Sequence, residues 1–399
     1  MIRYALLPLV CVALTAQAPA LSPPQIPSAG TRPSAPLWIA APSFRRGNLS
    51  SGERMAFDNE TVWQTVRVAA VAHSVRLRLS NELGDERVVV GSVTLVHRGR
   101  SMPVRFTSAA GAVLGVGEVL ISEPLTIDLA QFDAVSIGVH YPKASRPVGA
   151  RGLVRVAAGG GVVPPDASAV RGPMIVTAVE AIGGPAPCGR VIVALGDSIT
   201  EGTGAAPGND WPSRLARRLS GGRCAPRVLN AGIGGNRLLS KGASPSLLAR
   251  FDRDVLAVPG VTDVILLEGI NDVRNWAVVQ AAEAGGPGDV LDAYRQIVAR
   301  AHAHGLRVIG GTITPHRGAT NQTERTLATV EAVNAAIRRG EIFDGWIDFA
   351  AAIAEPQMPD RMRTEASSGD WLHPSDRGYE LMAAAVPLSL FDDHPNKGR

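Results

Sequence analysis

Residues 190–204 read RVIVALGDSITEGTG, and the fold follows from how that stretch is parsed. Val191, Ile192, Val193, Ala194 and Leu195 make an apolar, largely β-branched run without polar alternation, as expected of a parallel strand buried on both faces. The run leads directly into Gly196-Asp197-Ser198, a tight turn that leaves one serine hydroxyl at the carboxyl end of a strand. Gly202, Gly204, Pro207 and Gly208 follow, then Asn209-Asp210-Trp211-Pro212, where an acidic cap with proline two positions on marks a helix start. In an open α/β sheet ligands bind at the carboxyl edge. A serine there is a candidate nucleophile, although most turn serines act only as caps or hydrogen-bonding fillers.

Downstream, strands are expected at 190–195, 227–230, 263–267 and 307–312, alternating with helices near 211–219, 246–255, 289–304 and 324–339. A short strand near 345–349 and a terminal helix near 376–385 complete the pattern. Strands alternating with helices imply right-handed crossovers and a parallel sheet. Upstream the pattern differs. Short alternating runs at 61–68, 74–79, 88–95, 125–129, 135–140 and 175–179 are separated by turn clusters such as Asn81-Glu82-Leu83-Gly84-Asp85, which argues an antiparallel β-sandwich. The expected organisation is therefore a sandwich over 37–182, a Gly/Pro-rich linker over 183–189, an α/β domain over 190–391 and a tail over 392–399.

A chain of 399 residues exceeds what one hydrophobic core usually supports, in keeping with two domains. Apolar residues at 45% and charged residues at 19% supply both cores. Net charge is only +4, and arginines alternating along strands, such as Arg67, Arg76 and Arg78, read as solvated faces, so no nucleic-acid partner is expected. Met1-Ile2-Arg3, a short apolar run and Ala16-Gln17-Ala18 have the form of a cleavable signal over 1–20. Residues 21–36, rich in Pro, Ser and Ala, read as a disordered leader. The signal is too short to span a bilayer, so the expectation is a secreted or periplasmic protein without stable membrane insertion. Cys11 is removed with it, leaving Cys188 and Cys224, each just before a strand and hence candidates for a disulfide.

Four segments of the α/β domain carry polar residues where packing alone would not place them: GDSIT, NAGIGGN at 230–236, GIND at 269–272 and DWLHP at 370–374. Acyl transfer needs a serine, a base to take its proton, a group to orient the base and fixed donors for the oxyanion. Ser198 supplies the first, His373 the second and Asp370 the third. The amides of Ser198 and a glycine after the second strand, with the Asn271 side chain, can supply donors. Thr200 stands where a Gly-x-Ser-x-Gly elbow would have its last glycine, which argues against the common α/β-hydrolase arrangement.

In this order and spacing the four blocks resemble those of the SGNH or GDSL-type hydrolases, over about residues 190–390. The resemblance implies a flavodoxin-like three-layer fold, the nucleophile at Ser198, acid and base at Asp370 and His373, an oxyanion hole of Ser198, Gly235 and Asn271, and no cofactor. The runs GIGGNRLL, LARFDRDVL and LEGIND resemble a subgroup of arylesterases and acylhydrolases associated with xylan-degrading systems, and TVWQTVRV with VRLRLSNELG resembles the sandwich that precedes such domains. The expected substrate is an acetyl or short acyl ester on carbohydrate. The alternatives are a lysophospholipase or general lipase, and a carbohydrate-binding protein with an inactive hydrolase domain. Asn236, Glu268, Trp276, His316 and Trp371 are candidate substrate contacts. No metal ligands have suitable spacing, His302 and His304 lying two apart on a helix, and no oligomeric state follows from the sequence. Amino-terminal sequencing of exported protein is expected to begin after Ala18 or Ala20; a mature chain beginning at Met1 would overturn the signal.

Overall fold

The computed structural model describes residues 35–43, 54–107, 109–161, 168–183, 189–221, 224–279 and 284–392; the expected signal, most of the leader, most of the tail and Cys188 lie outside them. The first part of the chain forms two antiparallel sheets. In one, β1 (Ala35–Ile39), β13 (Val176–Ala181), β3 (Ala72–Ser80) and β8 (Val119–Ile121) are neighbours in that order, with β9 (Leu125–Leu129) also on β3. In the other the order is β12 (Val170–Met174), β11 (Ala150–Ala158), β2 (Glu60–Arg67), β10 (Ala134–Tyr141), β5 (Ser92–His97) and β6 (Arg100–Val104). A small pair, β4 (Val88–Val90) and β7 (Ala112–Leu114), stands apart. Alternate residues such as Val75, Leu77 and Leu79 of β3 and Val135, Ile137 and Val139 of β10 enter one buried core, as period-2 patterning requires. The expected single strand over 88–95 is two, broken at Gly91, whose N–H turns to the His140 carbonyl at 2.9 Å. Strand β11 was not expected: Gly152 and its alanines dilute the alternation.

The second part is a five-stranded parallel sheet in the order β15 (Arg227–Gly232), β14 (Val191–Gly196), β16 (Asp263–Leu267), β17 (Arg307–Gly311) and β18 (Gly345–Ile347). That is the doubly wound order with its switch point beside the first strand of the domain. Each residue of β14 is buried, as its unbroken apolar run anticipates. Helices α1 (Ser198–Glu201), α2 (Trp211–Arg218), α3 (Leu247–Phe251), α4 (Ile270–Trp276), α5 (Pro287–His302), α6 (Glu324–Arg338), α7 (Phe349–Ile353) and α8 (Asp376–Ala385) connect the strands, and a hairpin of β19 (Ala354–Glu355) and β20 (Met358–Met362) precedes the last loop. Asp210 caps α2 by accepting from Ser213 N–H at 2.9 Å, with proline in the first turn as expected. Helix α3 passes into a π-helical turn over Asp252–Leu256 rather than continuing to 255 as a regular helix.

Arg250 of α3 is 1% exposed, and every one of its nitrogens is used. Nε donates to Asn236 Oδ1 (2.7 Å), Nη1 to the Ala231 carbonyl (2.9 Å) and Asp254 (2.9 Å), and Nη2 to the Gly196 carbonyl (2.8 Å). It thus satisfies the carboxyl ends of β14 and β15 from below. Asp263, fully buried on β16, is held by Arg190 and Arg307. Cys224 is disulfide-bonded, and Gly189 packs against its backbone so closely that an added Cβ would lie 2.2 Å from the Cys224 carbonyl oxygen. The sandwich rests on the hydrolase core through Ala69, Ile39 and Phe132, with β1 beside β15.

Removing a buried ion-pair partner leaves the other charge uncompensated, typically at about 3–5 kcal/mol. Arg250→Met is expected to lose that much in urea unfolding; a loss below about 1 kcal/mol would show that the network is dispensable.

Candidate active site

The site is built where β14, β15 and β16 end. Asp197 caps α1, its Oδ1 accepting from Ile199 N–H at 2.8 Å, and this places Ser198 in the first turn of the helix. Gly232 allows β15 to close on that turn: a Cβ there would lie 2.2 Å from the Glu201 nitrogen. Asn230 adds a clamp, its Nδ2 donating to the Thr200 carbonyl at 2.7 Å. The turn is fixed from two sides.

His373 arrives on the loop before α8. Asp370 Oδ1 accepts the backbone N–H groups of Leu372 (2.9 Å) and His373 (2.8 Å), so this carboxylate shapes the loop that carries the imidazole. Its Oδ2 lies 2.5 Å from His373 Nδ1, and His373 Nε2 lies 2.9 Å from Ser198 Oγ. A carboxylate only accepts, so Nδ1 carries the proton and Nε2 is the acceptor facing the serine hydroxyl. Burial works against the Asp370 charge, but the His373 N–H, its ring and the Leu372 N–H hold the carboxyl down to about 2. It stays ionised throughout the neutral range. Gly204, at φ +93°, lets the nucleophile loop touch the histidine loop, since a Cβ there would meet the Pro374 carbonyl at 2.6 Å. Tyr379 Oη donates to the Thr203 carbonyl at 2.7 Å, and Asp376 accepts from Ala206 N–H and Asn209, each at 2.8 Å. These bonds tie α8 to the same loop.

Trp371 sits between acid and base with φ +60°, a strained choice for a bulky residue. Its ring lies against Gly318 and 4.0 Å below the Arg361 guanidinium. Gly235 turns at φ +73°, with Ala243 beside it. Asn271, on α4, donates its side-chain amide to the Asn236 carbonyl at 2.9 Å and to Asp197 Oδ2 at 3.2 Å. Asp272 accepts from Leu238 and Leu239 N–H at 2.6 and 2.9 Å, pinning the loop after Gly235.

Three of the candidate substrate contacts are buried. Asn236 is fully buried, bonded to Ser244, Pro245 and Arg250, because it is the keystone under its own loop. Glu268 is 1% exposed, with Oε1 accepting from Gly269 N–H, because it ends the central strand under α4. His316 is also 1% exposed and bonded to Thr326; burial and the nearby Arg274 push its imidazole down to about 4, so it is neutral at pH 7. Trp276 and Trp371 are partly exposed, and Trp276 lines a groove with Leu239 and Gly285, away from His373. The buried role of Arg250 escapes a motif reading, its trace being a charge inside the apolar run LLARF. Among the described residues no group of three potential metal ligands occurs, and no helix is long and apolar enough to cross a membrane.

Residues 194–381 match the model of the GDSL-like lipase/acylhydrolase family. The second domain thus carries the match to GDSL-like lipases and acylhydrolases, which supports a carboxylic ester hydrolase. A comparison with curated proteins gives no match. Similar solved structures include a variant of an acetyl xylan esterase from Geobacillus stearothermophilus, at 22% identity over 51% of this chain and 95% of that one, with a TM-score of 0.41. A lipolytic protein of the G-D-S-L family from Desulfitobacterium hafniense is 22% identical over 49% and 96%, with a TM-score of 0.38. A GDSL-like lipase from Bacteroides thetaiotaomicron is 18% identical over 52% and 91%, with a TM-score of 0.39.

Burial pushes Asp197 from 3.8 up to about 7, opposed by the Ile199 N–H and Arg274 and reinforced by Asp272 and Glu201. A raised acid pKa stabilises the fold in full below the unfolded value, and the contribution is lost as pH rises through the folded one. Carboxyl-detected NMR is expected to find one aspartate titrating near pH 7; if every aspartate titrates below pH 5, that electrostatic assignment fails.

Proposed function

We propose that the protein is an exported serine esterase that removes acetyl or short acyl groups from carbohydrate by a Ser-His-Asp mechanism. The observation that carries the mechanism is the continuous chain from Ser198 Oγ through His373 to Asp370, at 2.9 and 2.5 Å. His373 Nε2 takes the serine proton as Oγ attacks the ester carbonyl, and Asp370 holds the imidazole in that tautomer and stabilises the imidazolium. The proton then passes to the leaving alkoxide as the C–O bond breaks, and water releases the acyl group by the reverse sequence. Ser198 and Gly235 amides with Asn271 Nδ2 serve the oxyanion. The longer Asn271 contact, to Asp197, is the one the developing charge replaces.

Substrate class is supported by the resemblance of GIGGNRLL, LARFDRDVL and LEGIND to the xylan-associated subgroup and by the expected export signal. A secreted or periplasmic enzyme meets polysaccharide esters directly. On nitrophenyl acetate, Ser198→Ala is expected to lose activity by several powers of ten, and Asp370→Asn to lose about 10⁴ in kcat. Activity equal to the parent in Ser198→Ala would displace the nucleophile. Asn271→Ala is expected to lower kcat by about 10²–10³ with little change in KM, as for loss of one oxyanion donor. Rates across nitrophenyl esters should fall with acyl length and acetylated xylan should be deacetylated; a maximum at long chains would favour a lipase instead.

A further inference from the structure

A cavity of about 530 Å³ lies between the sandwich and the hydrolase domain, within the usual range for small-molecule sites. Ser198, Gly235, Asn271 and His373 are not among its lining residues, although Glu201 and Gly234 of the adjoining turns are. Among the described residues, Arg67, Arg151, Arg155, Arg171 and Arg217 line it, with the carboxylates Glu201 and Asp210. The cations come from both domains. Arg217 is held below its ordinary range by partial burial and by repulsion from Arg214 and Arg67, with Asp210 alone opposing. Arg171 and Arg151 act instead on Glu201, which burial pushes up and they pull down. Arg67 and Arg217 thus stand close enough to repel one another with Asp210 opposing, and guanidinium groups match carboxylates in a bidentate fork.

Trp38 and Phe132, both partly exposed, line the same cavity and bring aromatic surface to its wall. A bare inorganic anion would need neither the volume nor the aromatic wall. From this combination we propose that the interdomain cavity binds a carboxylated sugar, its carboxylate held by Arg67 and Arg217 and its ring set against the aromatic wall. The site goes beyond the ester specificity above and does not depend on it, because binding here requires no turnover.

Isothermal titration of the full chain with D-glucuronate tests this, with D-glucose and acetate as controls. Glucuronate is expected to bind at least tenfold more tightly than either control, and Arg67→Gln/Arg217→Gln to weaken it at least tenfold. Both arginines are exposed, so the double variant should unfold at the parent's temperature. Ser198→Ala is expected to bind like the parent, which separates this site from the failure or success of the esterase reading. No binding, equal binding of glucose or acetate, or undiminished binding by a folded double variant would each overturn the proposal.

Discussion

The buried guanidinium of Arg250 is the constraint from which the rest of the catalytic edge follows. Two neighbouring parallel strands end beneath the site, and their last carbonyls face into the protein rather than into water. Arg250 accepts that problem from both strands at once, bonding Gly196 and Ala231, while its remaining donors take Asn236 and Asp254. Gly196 is followed at once by Asp197-Ser198, and Asn236 follows Gly235. One side chain therefore fixes the relative height of the nucleophile turn and the glycine loop. Charged hydrogen bonds in a dry interior are strong when fully satisfied, and here they are.

The acid and base are positioned by a different logic. Asp370 does not merely orient His373 from a distance; it accepts two backbone N–H groups of the loop that carries the ring. Loop shape and tautomer thus depend on the same carboxylate. Contact between the nucleophile and histidine loops passes through Gly204, and α8 reinforces it through Tyr379 and Asp376. Strain at Trp371 is retained because its ring is engaged by Gly318 and Arg361.

Much of this was legible in the chain itself, for identifiable reasons. An unbroken apolar run is a strong sign of a central parallel strand, and β14, β16, α6 and α8 lie within a residue or two of their expected places. Period-2 alternation likewise revealed β2, β3, β9 and β10. Where alternation was diluted by glycine and alanine, as in β11, or by Gly172-Pro173, as in β12, no strand was visible. Helix α4 was missed because Asn271, Asp272 and Asn275 are weak helix formers and Gly269 provides no side-chain cap. Polar residues near the site were recognisable as unusual, but their direction was not. Sequence can mark Asn236, Glu268 and His316 as out of place in a core, yet only the packing shows that all three point inward.

The placement of the sandwich has a consequence for how the chain can be divided. Strand β15 is an edge of the parallel sheet, and β1 lies beside it while Ala69, Ile39 and Phe132 cover adjoining apolar surface. An exposed edge flanked by apolar side chains is a template for pairing with other chains. The hydrolase half released by itself would present such a flank to solvent. The first domain in this sense shields the second, and shortening the protein to residues 190–391 would uncover that edge and the apolar surface beside it.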